Sequence, residues 1–220
     1  MKKITKYIPT IILTLLCSCS DYLDIVPDNV TTLDIVFNNR NTAERYLANC
    51  YHFVPDHGSV KRIPGMGAGH ECWFYTTNDS HFDNEVSFYI ARGLQNIDAP
   101  YANYWDGEGG SNLPMFRAIR ECNIFLDYVR DQHKVNDLTD SERKRWIAEV
   151  NVLKAYYHFF LFEHYGPIPI VDKALPVSTD PEGVKVTRMP VDQIVDYMVK
   201  LIDDSYKDLP PVITMEATEM

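Results

Sequence analysis

The chain has 220 residues and a mass of 25.4 kDa, with 45% hydrophobic and 24% charged residues. These are globular values, and they exclude a disordered tail, a collagen-like chain and a multi-span membrane protein. Lysine and arginine number 21 against 31 aspartate and glutamate, a formal net charge of −10 that argues against a nucleic-acid partner.

The chain opens on an address. Lys2, Lys3 and Lys6 form a basic start, and the mostly apolar run over residues 8–16 is too short to span a bilayer as a helix, which takes roughly 20 residues. Leu16-Cys17-Ser18-Cys19 then places a leucine three residues before Cys19 and a small residue just before it. That is the pattern of a lipoprotein signal, with residues 1–18 removed and the Cys19 thiol carrying acyl chains such as palmitate. Acyl chains would tether the protein to a membrane without crossing it. The alternative is a plain secretory signal with incidental cysteines. Ser20 resembles a signal for sorting to an outer membrane, and Asp21 and Asp24 resemble acidic surface-export tags. Cys50, Cys72 and Cys122 make an odd set that gives no disulfide framework.

The rest, residues 19–220, reads as one helical domain. Asn41-Thr42-Ala43-Glu44 has the form of a capping box. Ala43, Tyr46, Leu47, Cys50, Tyr51 and Val54 come next at helical spacing, ended by Pro55 and Gly58. A second helix is expected over residues 113–130, capped by Asn112, with Met115, Ala118, Ile119, Cys122, Phe125, Leu126 and Val129 on its inner face. Cys50 and Cys122 thus read as small core hydrophobes. Thr139-Asp140-Ser141-Glu142 caps a third helix that Gly166-Pro167 ends. From Val150 to Tyr165 it is apolar or aromatic on most sides, so it is expected at the centre of the fold. Residues 168–171 suggest a short extended piece.

A fourth helix starts near Pro190, with Val191, Ile194, Val195, Met198, Leu201 and Ile202 as its stripe, and Pro210 and Pro211 close it. The short link between the second and third helices favours an antiparallel hairpin. Paired helices are the unit of tetratricopeptide arrays, although no 34-residue consensus repeat stands out. The fourth stripe must either pack back on the third helix or meet a further element.

Four stretches carry a family resemblance. They are residues 19–28 (Cys-Ser-Asp-Tyr-Leu-Asp-Ile-Val-Pro-Asp), residues 90–95 with 101–105 (Ile-Ala-Arg-Gly-Leu-Gln and Tyr-Ala-Asn-Tyr-Trp), residues 149–171 ending in His164-Tyr-Gly-Pro-Ile-Pro-Ile, and residues 188–210. Their order resembles the SusD/RagB family of outer-membrane nutrient-binding lipoproteins. The resemblance implies an all-α, tetratricopeptide-like helical array that is not an enzyme. It implies a protein that binds glycan or another nutrient and passes it to a SusC-like TonB-dependent transporter. Family members are longer, so it also implies that this sequence is an N-terminal portion. Ligand residues differ between members and are not carried over.

Candidate ligand residues therefore come from the chain itself. Sugars are held by aromatic faces and planar polar groups. Trp73, Tyr75, Asn78 and Asp79 offer these in one loop, and Tyr104 and Trp105 precede a glycine-rich stretch. Arg92 suits a hydroxyl or a carboxylate. The competing reading is that Tyr104 and Trp105 pack the base of the scaffold and that Arg92 serves a surface ion pair. Gly65-Met-Gly-Ala-Gly69 lacks the lysine and flanking elements of a phosphate loop and reads as flexible loop. His70, Glu71, Cys72, His81 and Asp83 match no metal spacing. His158 and His164 are six apart and share no face. No cofactor is called for. A helical interaction module or a truncated family relic, in either case without a small ligand, is the alternative function, and a secreted hydrolase ranks last for want of a catalytic set.

Overall fold

The computed structural model describes residues 32–58, 64–69, 86–98, 100–107, 113–175, 182 and 185–211. Cys19, Trp73, Tyr75, Asn78 and Asp79 lie outside them, as do Cys72, Asn112 and the histidine–acid cluster of residues 70–83. The chain divides into two compact units, residues 1–35 and 36–220. Of the first, residues 32–35 are described, and they carry most of a helical turn, Leu33–Val36. The second unit holds every other described residue.

All regular structure among the described residues is helical. The long helices are α1 (Arg40–Tyr51), α2 (Met115–Val129), α3 (Asp140–Tyr165) and α4 (Val191–Asp203). Short helices stand at Pro64–Gly67 and Val86–Ala91, and a 3-10 turn at Tyr206–Asp208. Pro64–Gly67 is a helical turn where the glycines suggest loop.

The start of α1 differs from expectation. Asn39, not Asn41, is the cap, its side chain accepting from the Thr42 amide at 3.1 Å. Glu44 does not reach back to a cap but pairs with Arg40 one turn earlier, at 2.9 Å. Ala43, Leu47 and Cys50 are buried, while Tyr51 and Val54 are exposed. The helix ends at Tyr51, so the stripe does not continue to Val54, and Phe53 takes the buried place instead.

The seven expected inner residues of α2 are all buried. Its first amide, on Met115, donates to the Tyr104 carbonyl at 2.9 Å, which replaces a side-chain cap. α3 has the expected reciprocal cap. Thr139 Oγ1 accepts from the Glu142 amide and the Glu142 carboxylate accepts from the Thr139 amide, both at 3.2 Å. Gly166 ends it with φ +69, a value an L-residue adopts only with strain.

α2 and α3 run antiparallel. Arg143 at the start of α3 donates to the Val129 carbonyl at the end of α2, at 2.6 Å. At the other end, Trp105 rests edge-on against both Phe116 of α2 and Tyr165 of α3. Arg143 also reaches the carbonyls of Lys134 and Val135, so one buried guanidinium holds the whole link between the helices.

α1 packs against both helices of this pair. Phe37 stacks on Tyr128 with centroids 4.5 Å apart, and Tyr157 of α3 donates to the Cys50 carbonyl at 2.5 Å. Cys50 and Cys122 are free thiols, both fully buried. The Cys50 thiol is pushed far up by its hydrogen bond to Cys122 and by burial. α4 packs back on α3 through Ile194 and Met198, which are buried, and Leu201, which is half-buried. Residues 168–175 form irregular chain rather than a strand.

Candidate functional site

The site is built from the loop that precedes α2. Tyr104 is the nail that fixes it. Its amide donates to the Tyr165 hydroxyl at 2.8 Å, and its ring stands edge-on to Phe160 and His164 at 4.9 and 4.7 Å. It has no exposed surface. Sequence reasoning placed Tyr104 among the ligand residues; a side chain closed off in this way cannot touch a surface ligand, and it belongs to the scaffold. Gly107 closes the loop at φ +85, where a Cβ would come within 2.9 Å of Pro114, so glycine is required.

With Tyr104 turned inward, Trp105 turns toward the flank of the α2–α3 pair. It is half-buried. Phe116 and Tyr165 touch it edge-on at 4.6 and 5.5 Å, and the Arg188 guanidinium lies 5.2 Å from its ring centroid. Arg188 is itself held by the Pro167 carbonyl at 2.8 Å. Trp105 then forms one wall of a cavity of about 230 Å³, whose other walls include Phe116, Arg120, Val171, Lys173 and Leu175. That is smaller than the ~300–1,000 Å³ of drug-sized sites.

The far wall is held by a polar cluster. Asn123 donates to the Val171 carbonyl at 3.0 Å, and Arg120 donates to the Leu175 carbonyl. Lys154, almost fully buried, donates to the Asp172 carboxylate at 2.7 Å, which also accepts from the Tyr197 hydroxyl at 2.8 Å. Burial pushes the Lys154 ammonium below its ordinary value, and the bond to Asp172 offsets this only in part. Burial acts in the opposite sense on Asp172, yet its bonds to Lys154 and Tyr197 win, and its carboxyl sits below the usual range. The asymmetry tracks exposure, since the Asp172 side chain keeps 64% of its surface and the Lys154 side chain 1%. Asp172 is thereby turned to α3 and α4, and Lys173 beside it faces the cavity.

The structure brings one expected ligand residue, Trp105, into this cavity. Arg92 is exposed beyond the Val86–Ala91 helix and does not line it. It comes after Tyr89, which stacks on Tyr101 at 4.4 Å. Phe116, Arg120 and Lys173, not singled out in the sequence, also line it. A signal for the first two lay in the sequence, because they stand four apart on α2, beside its buried stripe. His158 is buried and His164 exposed, and each imidazole Nδ1 bonds the carbonyl four residues back. Among the described residues no set of three His, Cys, Asp or Glu side chains is placed to hold a metal, and no helix is long and apolar enough to cross a membrane.

A second concavity, about 450 Å³, runs between α3 and α4. Its walls include Phe159, Phe162, Val195, Val199 and Ile202, with no charged side chain among the described residues. It offers apolar contact but little to orient a polar ligand, whereas the Trp105 cavity sets an aromatic wall beside charged groups.

The family described as starch-binding and associating with the outer membrane matches residues 21–218. The chain belongs to the SusD-like family. Its fold is the all-α, tetratricopeptide-like array of that family. A laminarin-binding SusD-like protein superposes with a TM-score of 0.60 at 17% identity, covering 81% of this chain and 36% of that one. A SusD-like carbohydrate-binding protein from Bacteroides fragilis NCTC 9343 gives 0.57 at 22% identity, with 84% and 34% covered. One from Bacteroides vulgatus ATCC 8482 gives 0.52 at 15% identity, with 82% and 38% covered. At these identities the likeness establishes the fold. This SusD-like chain spans about a third of the length of those structures. A search of curated proteins by sequence returns no match.

Proposed function

We propose that this SusD-like chain captures saccharide at the cell surface, without catalysing a reaction, and serves a SusC-like TonB-dependent transporter of the outer membrane. Acyl chains on Cys19 would hold it there. The observation that carries this reading is the family match over residues 21–218. The names of its structural neighbours, which bind laminarin or carbohydrate, support the ligand class. Saccharide contacts are assigned to Trp73, Tyr75, Asn78, Asp79, Arg92 and Trp105, with Tyr104 holding Trp105 from beneath.

Affinity gels cast with laminarin, starch and other polysaccharides test the reading. Retarded migration in at least one gel is expected, and Trp73→Ala or Tyr75→Ala should weaken it about tenfold. Unchanged retardation in both variants would remove that loop from the site. For the anchor, mass spectrometry of the mature N-terminus should find fatty acid on Cys19. For the partner, a transporter should copurify from outer membranes.

The α3–α4 groove favours a second reading, a helical interaction module. Failure to bind every glycan while remaining helical would favour it.

A further inference from the structure

The Trp105 cavity has an unusual charge for this chain. Acidic residues outnumber basic ones by 31 to 21, yet among the described residues the walls carry Arg120 and Lys173 and no carboxylate. Arg188 adds a third cation against the indole that forms the opposite wall. Lys173 makes no ion pair or hydrogen bond among the described residues, and the acid beside it, Asp172, is committed to Lys154 and Tyr197. Arg120 is held in place by the Leu175 carbonyl. An aromatic wall faces the apolar side of a sugar ring, while a guanidinium and an ammonium at one cavity complement an oxyanion. A neutral hexose would leave those cations without an acceptor of matching charge.

We infer that this cavity selects an acidic saccharide, one whose ring bears a carboxylate or a sulfate, with Trp105 against the ring and Arg120 and Lys173 on the anion. The inference rests on the saccharide-binding reading above and narrows its substrate class. The anionic group is the shared chemistry; whether carboxylate or sulfate fits better is decided by the ligand. The local field has to overcome the repulsion of an acidic chain for an acidic polymer, so the attraction is short-ranged and salt-sensitive.

The test is calorimetric titration of the purified full chain with trigalacturonate, its methyl ester, and a sulfated galactan trisaccharide, beside the neutral glucan laminaritriose. An acidic ligand should bind at least tenfold more tightly than either uncharged one. Raising the salt from 50 to 500 mM should weaken the acidic ligand and leave the neutral ones unchanged. Lys173 is exposed, so Lys173→Met should keep the circular dichroism of the parent; it should cost the acidic ligand about tenfold and spare the ester, with Lys173→Arg restoring affinity. Arg120→Gln provides a second variant with the same expected sign. Equal affinity for acid and ester would overturn the inference and leave saccharide binding standing. Acid-selective binding that ignores both variants would overturn the assignment to this cavity. Binding to none of the saccharides, by a folded chain, would remove the saccharide reading itself.

Discussion

His158 has no exposed surface, yet it sits among groups that titrate. Its Nδ1 contacts the Lys154 carbonyl at 2.7 Å, its Nε2 faces the Val171 amide at 3.5 Å, and its ring lies 5.2 Å from that of Tyr197. Burial pushes its pKa down to about 4 from the usual 6.5. The unfolded chain therefore takes up a proton at this imidazole below pH 6.5, and the folded chain does so only near pH 4. The stabilisation is complete above 6.5 and erodes as the pH falls toward 4, by about 3 kcal/mol in total. Urea unfolding at pH 7.0, 5.5 and 4.5 should show this decline, and His158→Gln should flatten it. Parallel pH profiles for the parent and the variant would contradict it. Asp172, bonded to Lys154, contributes in the same direction at lower pH, because its carboxyl is also held below its ordinary range.

At the level of elements, the two caps separate what the sequence reveals from what it leaves ambiguous. α3 was legible at both ends because Thr139 and Glu142 satisfy each other and Gly166 supplies the positive φ. The start of α1 was misplaced because Asn41 has a glutamate three residues on, the capping-box spacing, while Asn39, the cap in the structure, has Thr42 at that place. Glu44 looked like the partner of Asn41, but its carboxylate goes to Arg40, which also binds Glu142 on α3 at 2.9 Å. That long-range pairing is invisible locally. Asn39→Ala should cost about 1 kcal/mol, the ordinary value of a lost cap. Asn41→Ala, at an exposed helical position, should cost little or even gain a few tenths through propensity. Chemical denaturation of the two variants distinguishes the assignments, and the reverse order would restore Asn41 as cap.

On the scale of the molecule, the all-α character and the central place of α3 were legible, because apolar periodicity is set by one-dimensional spacing. The Trp105 cavity was not. Among the described residues its walls come from four separate stretches of chain, at residues 105, 116–120, 169–175 and 186, and only packing brings them together. The breadth of the α4 stripe was legible, but not its division. Ile194 and Met198 are covered by α3, while Val191, Val195, Val199 and Ile202 stay exposed and, with Phe159, leave an apolar surface. The purified chain should therefore bind an apolar fluorescent dye while remaining helical. Val195→Lys with Val199→Lys should reduce the signal without loss of helicity, since both residues are exposed. A dye-silent parent would show that this surface is covered in solution.

Saccharide capture itself is tested most directly by calorimetry on the purified chain with soluble oligosaccharides derived from the polysaccharide that most retards it. A saturable heat of binding, with matched circular dichroism before and after, is the expected result. Absence of any heat across neutral and acidic oligosaccharides, from a chain that keeps its helices, would contradict the account.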